Sequence, residues 1–365
     1  MSANSIGSIF KVMSFGESHG RCVGVVIDGC PAGLKLDMVL IQKDLDRRRT
    51  GQNPELSSVR KEEDKVEILS GVFNGVTTGA PVCMLVWNKD TISEAYEQRR
   101  YTPRPGHADF TGFVKYGGFE DYRGGGRFSA RNTAGFVIAG TIAKQLLEQL
   151  NIEVLAHTTS IGKVSAGKAS IEDIRANVPK NGVGCADPDA ADKMAEAISK
   201  AKKGGDSLGG TIEGIAINLP VGLGEPIFEN LDGELSKALF AIPAVKAVEF
   251  GSGFKGSTAF GSENNDEFML NGGKVVTRTN NSGGILGGIS DGMPIVVKIG
   301  FKPIASIPKK QTTVNLKDMK EVEISSMGRF DPCPIPRAIP IVEGMMAIVL
   351  CDFALRSHLI PPVLK

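Results

Sequence analysis

The chain has 365 residues, of which 41% are hydrophobic and 23% charged, the ordinary balance of a soluble globular protein. A formal net charge of +1 and an aromatic content of 6% argue against nucleic acid as a partner, because phosphate tracking and base stacking have little to draw on. Any strong anion site must therefore be a local cluster of arginine or lysine. The six cysteines are scattered, with no C-x-x-C pair and no metal-like spacing, and read as reduced thiols in a reducing compartment. Residues 1–9 lack the basic start and apolar run of a signal peptide. No apolar stretch of about 18 residues is evident, so the expectation is a cytoplasmic location with no membrane span.

In chain order, residues 8–16 and 21–29 read as short strands ending in glycine. A helix follows over 37–49, with Asp37 as its N-cap and Gly51 beyond its end. Residues 66–69 and 81–86 read as buried strands, and the polar, proline-bearing segment 87–121 as loops. After Arg123-Gly-Gly-Gly-Arg127 comes an apolar-periodic helix over 129–150, with Ala139, Ala143, Leu146, Leu147 and Leu150 on its buried face. In the second half, Ser170-Ile-Glu-Asp173 reads as a capping box, and helices are expected over 188–203, 231–240 and 338–356. Strands fit 211–219, 247–250, 274–278 and 295–301. Strands and helices do not alternate regularly. That favours an α+β layered fold over a doubly wound parallel sheet, and the lack of a linker or repeat favours one domain over 1–365.

Two of the four histidines, His19 and His107, sit in glycine-bounded turns, from which an imidazole can reach a cleft and act as a general acid. A histidine in such a turn is more often a hydrogen-bonded loop residue, and the residues alone leave both readings open. His157, which follows a strand-like stretch, and His358, near the C-terminus, read as structural. The arginines form a second signal. Arg47, Arg48 and Arg49 close a helix, where they read equally as a solvated face on the helix dipole; Arg123, Arg127 and Arg131 straddle the glycine run; Arg329 and Arg337 bracket Asp331-Pro-Cys-Pro. Glycines leading into a helix N-terminus offer backbone N–H groups to an anion, and arginine adds bidentate contacts. On a near-neutral chain this pattern points to a small, highly anionic ligand. The turns at 206–210, 280–290 and 302–306 can each be ordinary turns; glycine turns near Lys302 would also suit a cofactor phosphate.

Together these segments resemble the chorismate synthase family, in family order over nearly the whole chain. The resemblance rests on Gly16-Glu-Ser-His-Gly20, Asp44-Leu-Asp-Arg-Arg-Arg49, Arg104-Pro-Gly-His-Ala-Asp109, Asp121-Tyr-Arg-Gly-Gly-Gly-Arg127, Asp206-Ser-Leu-Gly-Gly210, Pro243-Ala-Val-Lys246, Gly283-Gly-Ile-Leu-Gly-Gly-Ile-Ser290 and Arg329-Phe-Asp-Pro-Cys333. It implies an α+β sandwich with helices between two mainly antiparallel sheets, and a homotetramer. It implies a lyase that uses reduced FMN for the anti-1,4-elimination of phosphate from 5-enolpyruvylshikimate 3-phosphate.

By the same resemblance, His19 would protonate the departing phosphate, His107 would sit at the flavin N1 edge, and Ser18 and Asp331 would relay a proton at N5. Arg48, Arg131 and Arg337 would hold the anionic substrate. FMN contacts would come from Arg127, Phe128, Ser129, Pro243, Ala244, Gly287, Lys302, Pro303, Ile304, Ala305, Ser306 and Arg329. The resemblance also leaves room for NADPH at Arg48 and for a separate flavin reductase. Phe128, Asn132, Thr50, Ile304-Ala305 and Phe330 depart from the family pattern; Asn132 replaces a glutamate, removing a carboxylate near the arginines. A flavin oxidoreductase is a rival reading, although no G-x-G-x-x-G fingerprint follows a strand. An RNA-binding protein is a poorer one, given the charge and the aromatic content.

Overall fold

The computed structural model of the chain describes residues 3–51, 56–57, 62–91, 93–97, 99–326 and 330–365. Two five-stranded antiparallel sheets enclose a double layer of helices. The first sheet comprises β1 (Ser5–Ile6), β2 (Lys11–Gly16), β3 (Cys22–Asp28), β4 (Val66–Ser70) and β5 (Val82–Trp87), in the order β1-β2-β3-β5-β4. The second comprises β6 (Glu153–Ile161), β7 (Val164–Ser165), β8 (Gly210–Ile217), β9 (Val245–Phe250) and β10 (Ile295–Phe301), in the order β9-β10-β8-β6-β7.

Three helices fill the space between them: α1 (Met38–Arg48), α3 (Thr133–Glu148) and α6 (Ile335–Arg356). Helix α3 lies on the first sheet and α6 on the second, and they pack on each other. The close approach depends on glycine. A Cβ on Gly140 would stand 2.1 Å from the Cα of Gly344, and one on Gly135 would stand 2.9 Å from the Gly24 carbonyl oxygen on β3. One hydrophobic core runs from Phe10 to Ile360 through both layers. Three further helices of eight or more residues lie outside this layer among the described residues: α2 (Asp109–Tyr116), α4 (Pro188–Lys203) and α5 (Leu231–Phe240).

Local chemistry sets several element ends. Asp37 accepts from the Leu40 N–H at the start of α1, Asp187 with Pro188 opens α4, and Ser170 with Asp173 forms the expected capping box of a helix at Ile171–Asn177. Other expectations need correction. The segment 87–121 is not all loop, since it contains α2 and a short helix at Glu94–Glu97. Strand β6 lies inside the second sheet and runs on through His157, beyond the strand-like stretch expected before it; its centre, Ala156-His-Thr158, is buried throughout, so it shows no two-residue alternation. Helix α6 is long and apolar enough to cross a membrane by length and composition, contrary to the expectation above, but its apolar window is entirely buried between α3 and the second sheet.

α1 carries charges into the helix layer. Arg47 closes a fork on Glu343 of α6 at 2.7 and 2.8 Å and donates to Asp44 at 2.9 Å. Lys144 of α3 donates to the same two carboxylates at 2.6 and 3.0 Å. This quartet clamps the end of α1, so Arg48, the next residue, is delivered in a fixed direction.

Candidate active site

A cavity of about 740 Å³ opens at the ends of these elements. Its wall includes Arg48, Asp64, His107, Arg127, Phe128, Ser129, Arg131, Pro243, Ala244, Lys246, Lys302, Pro303, Ile304, Ala305, Ser306, Phe330, Asp331 and Arg337. Most of the expected site residues, drawn from six separate segments, therefore converge. Two non-glycine residues on this wall, Asp64 (φ 48°) and Ala244 (φ 73°), adopt left-handed backbone, a strain that folded proteins concentrate at functional sites.

The glycine run forms an arch across the wall. Gly124, Gly125 and Gly126 all have positive φ, at 60°, 85° and 49°. The two histidines lie against successive glycines. A Cβ on Gly124 would stand 2.3 Å from His19 Cδ2 and 2.8 Å from Ser18 Oγ; one on Gly125 would stand 3.2 Å from His107 Nε2. Only glycine lets both rings approach the chain this closely. His19 and Ser18 lie behind Gly124 and are not part of the cavity wall, whereas His107 is. The His19 ring is held by Ser93 Oγ at 2.8 Å from Nδ1 and by an edge contact with Tyr96.

The flanking arginines spend their donors on the protein. Arg123 pairs with Asp121, and Arg127 reaches Gly16 O, Ser14 and Asn4. Arg131 donates to Asn88, Trp87 O and Asp64. Arg48, buried, donates to Thr133, Ala130 O and the same Asp64. Burial would raise the Asp64 carboxyl, but the charges of Arg48, Arg131 and Arg337 outweigh it and hold it below its ordinary value. Burial likewise pulls the Arg48 guanidinium down to about 9, against the opposing effect of Asp64. Arg337 pairs with Asp331 and donates to Arg48 O at 2.8 Å. Asp64, which the sequence did not single out, thus acts as the counter-ion of the arginine cluster.

At the other end, Lys302 donates to Gly106 O, and burial together with the nearby charge of Lys246 lowers its pKa. Gly287 lies in the Ile285–Ser290 hairpin, away from this wall, and Arg329 falls outside the described residues. The departures from the family pattern also acquire positions. Phe128 packs on Gly112 of α2. Asn132 does more than remove a carboxylate: its amide donates to Gly126 O and Arg127 O at 3.2 and 2.8 Å, which an ionised glutamate cannot do, and so ties down the end of the arch.

A family model described as chorismate synthase matches residues 10–355. The chain belongs to the chorismate synthase family. It is 53% identical over 363 residues to a chorismate synthase of Dehalococcoides mccartyi, covering 100% of both chains. It is 51% identical to one of Methanosarcina barkeri, covering 99% of each. A crystal structure of chorismate synthase superposes with a TM-score of 0.75 at 30% identity, over 96% of this chain and 93% of that one. As a member of the family, the chain is a lyase that releases phosphate from 5-enolpyruvylshikimate 3-phosphate to give chorismate. The arch can be tested directly. Gly124→Ala is expected to displace His19 and lower chorismate formation by roughly 10²-fold, the penalty for shifting a reacting group by about 1 Å. Turnover equal to wild type would show that the arch does not position that ring.

Proposed function

We propose that the cavity binds reduced FMN beside the substrate and that the residues on its wall divide the elimination between them. The observation that carries this reading is the pairing of His19 and His107 on adjacent glycines beside a wall ending in two lysines. The residues present fit the cofactor. The volume lies in the range of about 300–1,000 Å³ usual for ligand pockets, the arch brings bare backbone to the wall, and Lys302, Lys246 and Ser306 offer a phosphate two cations and a hydroxyl. When bound, reduced flavin lends the electron that the elimination returns.

In this reading His107 faces the N1 edge of the flavin. Phe128, Ser129, Pro243, Ala244 and the Lys302–Ser306 segment border the flavin. Arg127 braces that wall through its bonds to β2. Arg337, Arg131 and Arg48 provide the positive field for the substrate anions, with Asp64 holding the latter two in place. His19 gives its proton to the departing phosphate past Gly124, and Asp331 with Ser18 takes up the ring proton. Nicotinamide nucleotide at Arg48 finds less support, because its guanidinium would have to leave Asp64, Thr133 and Ala130.

The chain acts as a single folded unit, and we place it in the cytoplasm as a homotetramer supplied by a separate flavin reductase. The hairpin Phe268–Asn271/Lys274–Thr277 supports assembly. It exposes Phe268, Leu270 and Val275 at 66%, 74% and 61%, and an isolated two-stranded hairpin is marginal in water unless its apolar side chains are covered. The test of the whole reading is anaerobic turnover of the substrate with photoreduced FMN, run beside oxidised FMN with NADPH alone. Many chorismates per reduced flavin in the first assay and none in the second are expected. No product with photoreduced FMN would overturn the reading, and equal rates in both would overturn the need for a separate reductase.

A further inference from the structure

The loop that carries His107 holds a charged pair with no role so far. Arg104 closes a fork on Asp109, with Nε 2.8 Å from Oδ2 and Nη2 2.8 Å from Oδ1, and its backbone N–H donates to Oδ2 at 3.0 Å. Asp109 Oδ1 also faces His107 Nδ1 at 2.6 Å. The remaining arm of Arg104, Nη1, donates to Ser306 Oγ at 3.0 Å, joining this loop to the lysine end of the cavity. On its other side the imidazole runs its Cε1–Nε2 edge along Gly125. Arg104 Nη2 lies 3.1 and 3.3 Å from the two ring nitrogens, and so sits across the ring, aligned with neither lone pair. Tyr96 lies beneath the guanidinium, 5.8 Å from its carbon.

An imidazole nitrogen 2.6 Å from a carboxylate oxygen must carry the proton between them, since two bare acceptors repel at that distance. Burial would raise the Asp109 carboxyl, but hydrogen bonds from Arg104 and His107 outweigh it and hold it well below the usual carboxylate range, so the proton belongs to the ring. Which ring nitrogen is protonated is set by the partner of the other one. We propose that Asp109 is a positioning residue that fixes His107 as the Nδ1–H tautomer, with Arg104 locking the carboxylate in place. Nε2 is then the exchangeable atom at the cavity, an acceptor when the ring is neutral and a donor when it is charged. This rests on the cavity role assigned to His107.

The experiment uses the full chain labelled with ¹⁵N in its histidine rings. With four histidines the spectrum is short, and His107→Gln identifies the signals. At alkaline pH the wild-type His107 is expected to show a protonated Nδ1 and a bare Nε2. Asp109→Asn must place its amide NH₂ against an Arg104 donor, since both carboxylate oxygens already accept from Arg104. The fork then opens, the Nε2–H form becomes populated, and kcat falls by roughly 10²-fold with KM for the substrate little changed, the pattern of a lost transition-state contribution. A wild-type ring in the Nε2–H form would overturn the proposal without any variant having to fold. So would Asp109→Asn with the wild-type tautomer and kcat. The wild-type spectrum needs neither flavin nor turnover, so its failure is distinct from failure of the functional reading, which His107→Gln at full activity would sink.

Discussion

His107→Ala is expected to lower chorismate formation by a factor on the order of 10²–10⁴ while leaving the melting temperature close to that of the wild type. The ring is on the cavity wall, its Nδ1 is engaged by Asp109, and its Nε2 edge lies along the glycine arch, so its loss removes a proton-carrying group and little packing. His19→Ala is expected to fall in the same range, because the ring lies one glycine away and is buried, with Ser93 orienting Nδ1 and leaving the Nε2 side toward Gly124. Steady-state rates with photoreduced FMN, together with thermal melts, provide the check. A variant that melts normally and turns over normally removes that histidine from the mechanism.

What was legible in the sequence follows from the range of the signals. Helices α4 and α5 and strand β10 have the ends expected of them, because caps at Asp187 and Asn230 and a run of apolar residues at Ile295–Phe301 are local facts. The glycine run and His107 were legible for the same reason. The arginines were read as an anion site, and local spacing could not show the protein partners they also hold. Their partners are remote: Asp64 is 67 residues from Arg131, and Thr133 is 85 from Arg48. No spacing rule connects such pairs, and an arginine whose donors end on carbonyls looks the same in sequence as one that faces a ligand. Asp109 lay inside a quoted motif, but its role depends on a turn that brings it back under His107. Of the strand at Glu153–Ile161 only the stretch before His157 was legible, because burial of both faces at its centre erases the alternation that marks a half-exposed strand.

Replacing Glu343 by glutamine is expected to destabilise the fold by roughly 3 kcal/mol near neutral pH, at the low end for breaking a buried ion pair. Glu343 is 4% exposed on α6, and its carboxylate meets Arg47 of α1 and Lys144 of α3. Removing its charge leaves two cations sharing Asp44 alone, although Arg47, with a third of its side chain exposed, recovers some hydration. The effect should depend on pH with a definite sign. Burial would raise the Glu343 carboxyl, but Arg47 and Lys144 outweigh it and bring it to about 2, from 4.5 when unfolded. The unfolded chain therefore binds this proton first, so the contribution is complete above pH 4.5 and drains away as pH falls toward 2. The stability gap between wild type and Glu343→Gln should accordingly be widest at neutral pH and close in acid. Urea titrations at several pH values measure it, and a gap that is constant with pH, or absent at neutrality, would show that the quartet does not hold α1 to α6. Because α1 ends at Arg48, the same variant should also weaken substrate binding at neutral pH.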